Sequence, residues 1–277
     1  MVFRPFIRNF ADIMNYTLNI RGQLVDLSKP QVMGILNATP DSFYANSRTP
    51  SEEAAAARAR QIVAEGGTMI DVGAYSTRPG ASEVSEEEEM ERLRKVLPAV
   101  RREQPTTIIS VDTFRPNVAR MAVEELGADI VNDVSEGSTE MFRMVARLGV
   151  PYILMSVQPD LRSTLLAFAT KVQQLCDYGQ KDIILDPGFG FGKTVDENYK
   201  LMSELEAFQV MELPLLVGIS RKSMIWKHLG CTPDDALNGT TMLNTIALMK
   251  GASILRVHDV KAAVECTMLY DKLRIKN

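Results

Sequence analysis

Ile108-Ile109-Ser110-Val111-Asp112-Thr113 is the stretch on which the fold turns. It is too short for a helix, mostly aliphatic, and ends on a carboxylate and a hydroxyl. An apolar run of that length reads as a strand buried on both faces. The same figure recurs on either side of it: Val32–Leu36 and Met69–Val72 before, then Asp129–Val131, Tyr152–Met155, Ile183–Leu185, Leu215–Ile219 and Ile254–Val257 after. Amphipathic stretches separate these runs, several of them opened by helix-capping residues. Thr49-Pro50-Ser51-Glu52 sets a capping Thr before a Pro at the first helical position, and the helix stops at Gly66-Gly67. Ser85-Glu86-Glu87-Glu88, Thr232-Pro233-Asp234-Asp235 and Asp259 mark further helix starts. The acidic run Glu86–Glu89 reads as a solvated first turn favoured by the helix dipole.

Eight strand-then-helix units with short connections imply a parallel sheet. Eight in this length favour a closed (β/α)8 TIM barrel over a doubly wound sheet. No Pro/Gly/Ser-rich linker divides the 277 residues, so 1–277 reads as a single domain, with 1–30 an extension and 31–277 the barrel. In the extension, Tyr16–Ile20 and Gln23–Leu27 flank Arg21-Gly22, the pattern of a short N-terminal β-hairpin. Such a hairpin can plug the bottom of a barrel, though an embellishment of any fold reads alike. A net charge of -4 argues against a nucleic-acid surface, so an anionic ligand needs a local cationic cluster. Three scattered cysteines, Cys176, Cys231 and Cys266, read as thiols in a reducing compartment. With no apolar leader and no run long enough to span a membrane, the expected location is the cytoplasm.

In a parallel barrel the loops that follow the strands build the mouth, so chemistry sits where polar residues terminate the apolar runs. Asn37 ends the first run, Ser76-Thr77-Arg78-Pro79 follows the second, and Asp112-Thr113 ends the third. Asn132-Asp133, Asp186, Ser220-Arg221-Lys222-Ser223 and Arg256-Val257-His258-Asp259 end the fourth, sixth, seventh and eighth. One or two such residues are ordinary helix caps, as Asp259 and Thr113 read here. Seven of eight strands ending this way point instead to a convergent site.

The residue types narrow the ligand. Asp112, Asn132 and Asp186 offer two carboxylates and an amide, suited to the paired N–H donors on a planar, guanidine-like edge such as a pterin ring presents. Lys222 can donate to a ring carbonyl or nitrogen. Arg78, Arg256 and His258 form a cationic group suited to a phosphate-bearing anion, and Asn37 is an acceptable Mg²⁺ contact where phosphates supply the other ligands. Gly188-Phe189-Gly190-Phe191-Gly192-Lys193-Thr194 evokes a P-loop, but the first Gly of that motif falls at Pro187. It reads as a flexible loop with Lys193-Thr194 starting a helix. His228, beside Trp226 and Lys227, reads as a surface or packing residue, and no zinc-site spacing is present.

Together these segments resemble a known family. Met33-Gly34-Ile35-Leu36-Asn37-Ala38-Thr39-Pro40-Asp41-Ser42-Phe43 and Asp71-Val72-Gly73-Ala74-Tyr75-Ser76-Thr77-Arg78-Pro79-Gly80-Ala81 resemble the two signatures of dihydropteroate synthases. The later segments around Asp112, Asn132, Asp186, Lys222 and Arg256 match in order, over roughly residues 30–277. The resemblance implies condensation of 6-hydroxymethyl-7,8-dihydropterin pyrophosphate with p-aminobenzoate, aided by Mg²⁺, in a homodimer. It implies that Asp112, Asn132, Asp186 and Lys222 hold the pterin, with Met155 packed on the ring. Asn37, Arg256 and His258, with Arg78 nearby, would hold the pyrophosphate. Phe43, Thr77, Pro79, Phe189, Lys222 and Ser223 would form the p-aminobenzoate pocket. Asp112, Lys222, Arg256 and His258 would carry the catalysis.

Two positions depart from the family pattern. Phe43 is followed by Tyr44-Ala45-Asn46-Ser47 where an acidic Asp-Gly-Gly-like turn is common, and Met155-Ser156 stands where Met-His is frequent. Two other readings compete. A pterin-dependent methyltransferase would share the barrel and the pterin carboxylates but would not need Arg256 and His258 as an anion site. A non-catalytic pterin-binding paralogue would follow from the altered first loop.

Overall fold

The computed structural model describes residues 16–38, 52–75 and 84–273. It opens on an antiparallel hairpin, β1 (Thr17–Ile20) and β2 (Gln23–Asp26). Arg21 and Gly22 turn it with φ of 51° and 79°, the left-handed pair that a two-residue hairpin turn requires. Eight parallel strands follow: β3 (Gln31–Asn37), β4 (Met69–Gly73), β5 (Ile108–Asp112), β6 (Ile130–Asp133), β7 (Tyr152–Met155), β8 (Ile183–Asp186), β9 (Leu216–Val217) and β10 (Ile254–Val257). They pair in the order β8-β7-β6-β5-β4-β3-β10-β9. A parallel bridge between Leu185 and Leu215 joins the two ends, so the sheet closes into the expected barrel.

Helices form the outer layer: α1 (Glu52–Ala64), α2 (Glu86–Glu103), α3 (Pro116–Glu124), α4 (Thr139–Leu148), α5 (Leu161–Asp177), α6 (Val195–Ser203), α7 (Ser223–Leu229), α8 (Leu237–Met249) and α9 (Val260–Leu273), with a 3-10 helix at Leu205–Met211. Ser85 caps α2 through the Glu88 N–H, and Thr194 and Glu197 form a reciprocal capping box on α6. The start expected at Thr232 is corrected. Thr232 instead bonds Asp235 within a turn, and α8 begins at Leu237. No helix among the described residues is long and apolar enough to cross a membrane.

Period-two alternation sends neighbouring strand residues into two different cores. Val131, Leu154, Leu185, Val217 and Leu255 face outward against the helices. Their preceding neighbours Ile130, Ile153, Ile184, Leu216 and Ile254, with Met33 and Met69, fill the barrel interior, where Leu18, Ile20 and Leu27 pack from below. The hairpin is therefore the plug. Two residues further along six of the strands, the inward positions change character, to Asp71, Ser110, Asn132, Met155, Asp186 and Arg256. That layer is the floor of the mouth.

Candidate active site

Arg256 is the hub of that layer. From β10 its Nε donates to Asp71 Oδ2 at 2.6 Å and its Nη2 to Asp112 Oδ2 at 2.8 Å. Asn132 Nδ2 donates to the same Asp71 oxygen at 3.0 Å. Although burial opposes the charge, Asp71 and Asp112 hold the guanidinium cationic, above its ordinary value. Burial raises Asp112 above the usual carboxylate range; Arg256 opposes that shift, and Asp71 reinforces it. Asp71 Oδ1 and Asn132 Oδ1 are buried with no hydrogen-bond partner. Each such oxygen costs about 1–3 kcal/mol, so this floor suits a ligand that brings N–H donors. Sequence reasoning on strand ends does not reach Asp71, which lies inside its strand. Counting two residues on from Met69, which faces the interior, would have placed it inward.

Across the mouth stand Asp186 and Lys222, which the sequence also placed here. Asp186 Oδ1 accepts the Gly188 N–H at 2.8 Å, and burial raises its pKa while Lys222 pulls it down. Burial lowers the Lys222 ammonium to about 8, with Asp186 resisting. Lys222 Nζ donates to the Phe189 carbonyl and stands over the Phe191 ring, 4.5 Å from its centroid. Phe189 thus brings only its carbonyl to the mouth. Its ring is 0% exposed in the outer core, while Phe191, half-buried, presents the accessible aromatic face.

The connecting loop, expected to be flexible, is tied at several points: Lys193 Nζ donates to the carbonyls of Ser156, Gly188 and Phe191, and Asn198 Oδ1 accepts from Gly190 N at 2.7 Å. Ser156 bonds Glu136 through its hydroxyl, and Glu136 also accepts from Val157 N and Gln158 Nε2. The Glu136 and Lys193–Ser156 anchors had no sequence signal, because they join residues brought together only by adjacent strands.

Asn37 ends β3 in register with Gly73, which pairs in turn with Asp112, and Asp112 with Asn132, so the strand ends share one level. Met155, fully buried, pairs with Asp186 in register. His258 lies beyond β10. Its ring Nδ1 is 3.2 Å from Ser220 Oγ, and its carbonyl accepts from Arg58 at 2.7 Å. Ser223 opens α7 next to Lys222. Arg221, at φ 55°, turns away to form a two-armed pair with Asp259. His228 packs on Tyr199, as a surface residue should. Phe43, Thr77, Arg78, Pro79 and the Thr49-Pro50 cap lie outside the described residues.

With this geometry in hand, similarity to known proteins is specific. The family described as pterin binding enzyme matches residues 33–258. Dihydropteroate synthase of Escherichia coli (strain K12) is 41% identical over 261 residues, covering 88% of this chain and 92% of that protein. The Yersinia pestis dihydropteroate synthase, solved as a sulfonamide drug complex, superposes with a TM-score of 0.86 at 37% identity, over 94% of this chain and 99% of that one. The Xanthomonas albilineans dihydropteroate synthase with 4-aminobenzoic acid gives a TM-score of 0.87 at 34% identity, over 95% and 100%. Barrel, mouth and similarity agree: the chain belongs to the pterin binding enzymes and, within them, to the dihydropteroate synthases of folate synthesis.

Proposed function

We propose that the chain joins p-aminobenzoate to 6-hydroxymethyl-7,8-dihydropterin pyrophosphate at this mouth, with Asp112, Asn132, Asp186 and Lys222 holding the pterin and Met155 packed against it. The observation that carries the reading is the acceptor-rich floor, two carboxylates and an amide around one guanidinium, with oxygens left unpartnered. In the reaction the bond from the pterin methylene carbon to the pyrophosphate oxygen breaks, and a C–N bond to the arylamine forms. The amine loses a proton, and pyrophosphate takes the electron pair of the broken bond. Positive charge develops on the ring, which Asp112 is placed to stabilise, and negative charge on the leaving group. Arg256 has two of its five N–H donors engaged with Asp71 and Asp112. Its others, with His258, Asn37 and Arg78, suit the departing anion.

Mg²⁺ fits this donor set in a limited way. Among the described residues no cluster of His, Cys, Asp or Glu could cage a metal, so Asn37 would supply one oxygen and the substrate phosphates the rest. There the ion would supply neutralisation of phosphate charge. The arylamine pocket takes Lys222 and Ser223, with Phe43, Thr77 and Pro79 from the first two loops. Phe191 replaces Phe189 as its aromatic wall, because the Phe189 ring is sealed. A homodimer is supported by exposed Met242 and Met249 of α8 and Met268, Leu269 and Leu273 of the adjacent α9, and light scattering on the purified protein tests it. Placement in the cytoplasm is supported by three free cysteines.

Steady-state release of pyrophosphate on mixing the two substrates tests the activity directly. Release is expected with both present and not with the pterin substrate alone. Pterin binding without release would establish the non-catalytic reading, and methyl transfer would establish the methyltransferase. In the same assay Arg256→Ala should cut turnover by about 100-fold; because Asp71 and Asp112 lose their cation, calorimetry should show weaker binding of pterins lacking phosphate as well, but by a smaller factor. Equal loss for both ligand classes would remove Arg256 from the anion site.

A further inference from the structure

Three features outside the residues already assigned stand out: the Arg21–Asp129–Arg101 cluster at the barrel bottom, the Glu89–Arg115 pair beside Tyr75, and Lys193. The first two connect structural elements. Lys193 reaches the mouth. Its Nζ lies 3.1 Å from Ser156 O, 3.1 Å from Gly188 O and 3.3 Å from Phe191 O. An ammonium has three N–H donors, and here each meets a backbone carbonyl. The carbonyls belong to two loops, one following β7 and one following β8, and those loops are in backbone contact. A Cβ on Gly188 would stand 2.0 Å from Ser156 O, and one on Gly192 2.9 Å from Val157 O.

We propose that Lys193 is a positioning residue for the arylamine pocket, fixing the backbone on which Phe191 is carried. Phe191 is held through both of its backbone polar groups: its N–H donates to Gly188 O at 3.1 Å and its carbonyl accepts from Lys193. Between them Gly190 has φ of 80°, and Gly188 and Gly192 have 69° and 62°, so the intervening chain has little intrinsic preference to keep the ring in place. Remove the ammonium, and three carbonyls lose their shared donor while the loop keeps its glycine freedom. The fold does not depend on this contact. Helix α6 is capped independently by Thr194 and Glu197, and the Phe189 ring anchors the loop in the outer core. Asp186 keeps its bond from the Gly188 N–H, so the pterin side is held separately. Burial of Lys193 lowers its ammonium to about 8, against the pull of Asp186 and Glu136, in keeping with a cation placed for its contacts rather than for solvation.

This rests on Phe191 lining the p-aminobenzoate pocket, so Phe191→Ala is measured beside Lys193→Met, with both substrates varied and melting followed in parallel. Lys193→Met should raise KM for p-aminobenzoate about tenfold, with kcat and the affinity for a phosphate-free pterin each changing less than about threefold. Lys193→Gln, which keeps a donor, should fall between. Lys250→Met serves as control, since Lys250 pins Ser203 O and Glu206 far from the mouth, and should leave that KM unchanged. An unchanged KM in Lys193→Met with a raised KM in Phe191→Ala overturns the positioning role alone. An unchanged KM in Phe191→Ala overturns the pocket assignment and the positioning role with it. Equal loss of both ligands in step with melting temperature marks Lys193 as structural and also overturns it.

Discussion

Asp186 and Lys222 show how much a single residue's surroundings decide. Both were legible as polar strand ends, but the sequence could not say that burial shifts their pKa values in opposite directions. In Asp186→Asn the amide oxygen can still accept from Gly188 N, while an NH2 group replaces the second acceptor. Two donors then face each other on the pterin edge, and affinity should fall by about 2–4 kcal/mol by calorimetry on folded protein. Unchanged affinity would take Asp186 out of the site. The Lys222 value sets a pH dependence. If Lys222 donates as an ammonium, kcat/KM for the pterin substrate, which reports the free enzyme, must fall as pH rises through about 8. On the acid side kcat/KM should rise with pH as Asp112, raised above the usual carboxylate range, ionises. Lys222→Arg should abolish the alkaline limb. A wild-type profile level across that range would mean the Lys222 charge is not used.

At the scale of elements, propensity placed the helices and tertiary contacts changed what they do. The run Glu86–Glu89 has the look of a solvated helix start, and for Glu86, Glu87 and Glu88 that holds. Glu89 does not follow. It is 0% exposed and ion-paired with Arg115 at the start of α3, and burial raises its pKa. Arg115 also donates to Val84 O at 2.7 Å and covers the Tyr75 and Phe114 rings. A helical period would put residue 89 one turn from Ser85 on either face, and only the position of β5 and α3 selects the inner one. The start expected at Thr232 also moves, to Leu237, with Thr232 bonding Asp235 in a turn and Asp234 paired with Arg221. Glu89→Ala leaves the Arg115 charge without its partner and should cost about 3–5 kcal/mol in urea unfolding. Glu86→Ala, on the solvated side, should stay within about 0.5 kcal/mol. Similar values for the two would mean that the buried pair contributes no more than a surface charge.

For the whole molecule, strand–helix alternation and polar strand ends were enough to place the barrel and the face that carries chemistry. Closure was less legible, because β9 is two residues long and the ring is completed by a single bridge at Leu215. The role of the hairpin was legible only as one of two options, a plug or an embellishment, because nothing local in Leu18 or Ile20 says what they pack against. In the fold they lie under the Met33, Met69 and Ile254 layer, and Arg21 at the turn reaches Asp129, which Arg101 also binds. The barrel interior is therefore apolar beneath the mouth and polar at it, the change coming within one layer of inward side chains. Opening a cavity at the apolar end removes dispersion contacts and apolar burial without moving a charge. Leu18→Ala should thus cost about 2–5 kcal/mol of stability, the cost depending on how far Met33 and Met69 relax into the space. The substituted enzyme should keep its kcat/KM wherever it remains folded, because Arg256, Asp71 and Asp112 brace one another above that layer. Unfolding and turnover measured on the same preparation decide this. A loss of kcat/KM comparable to that of Arg256→Ala, in protein still fully folded, would show that the interior layer transmits strain to the mouth and that the two ends are not independent.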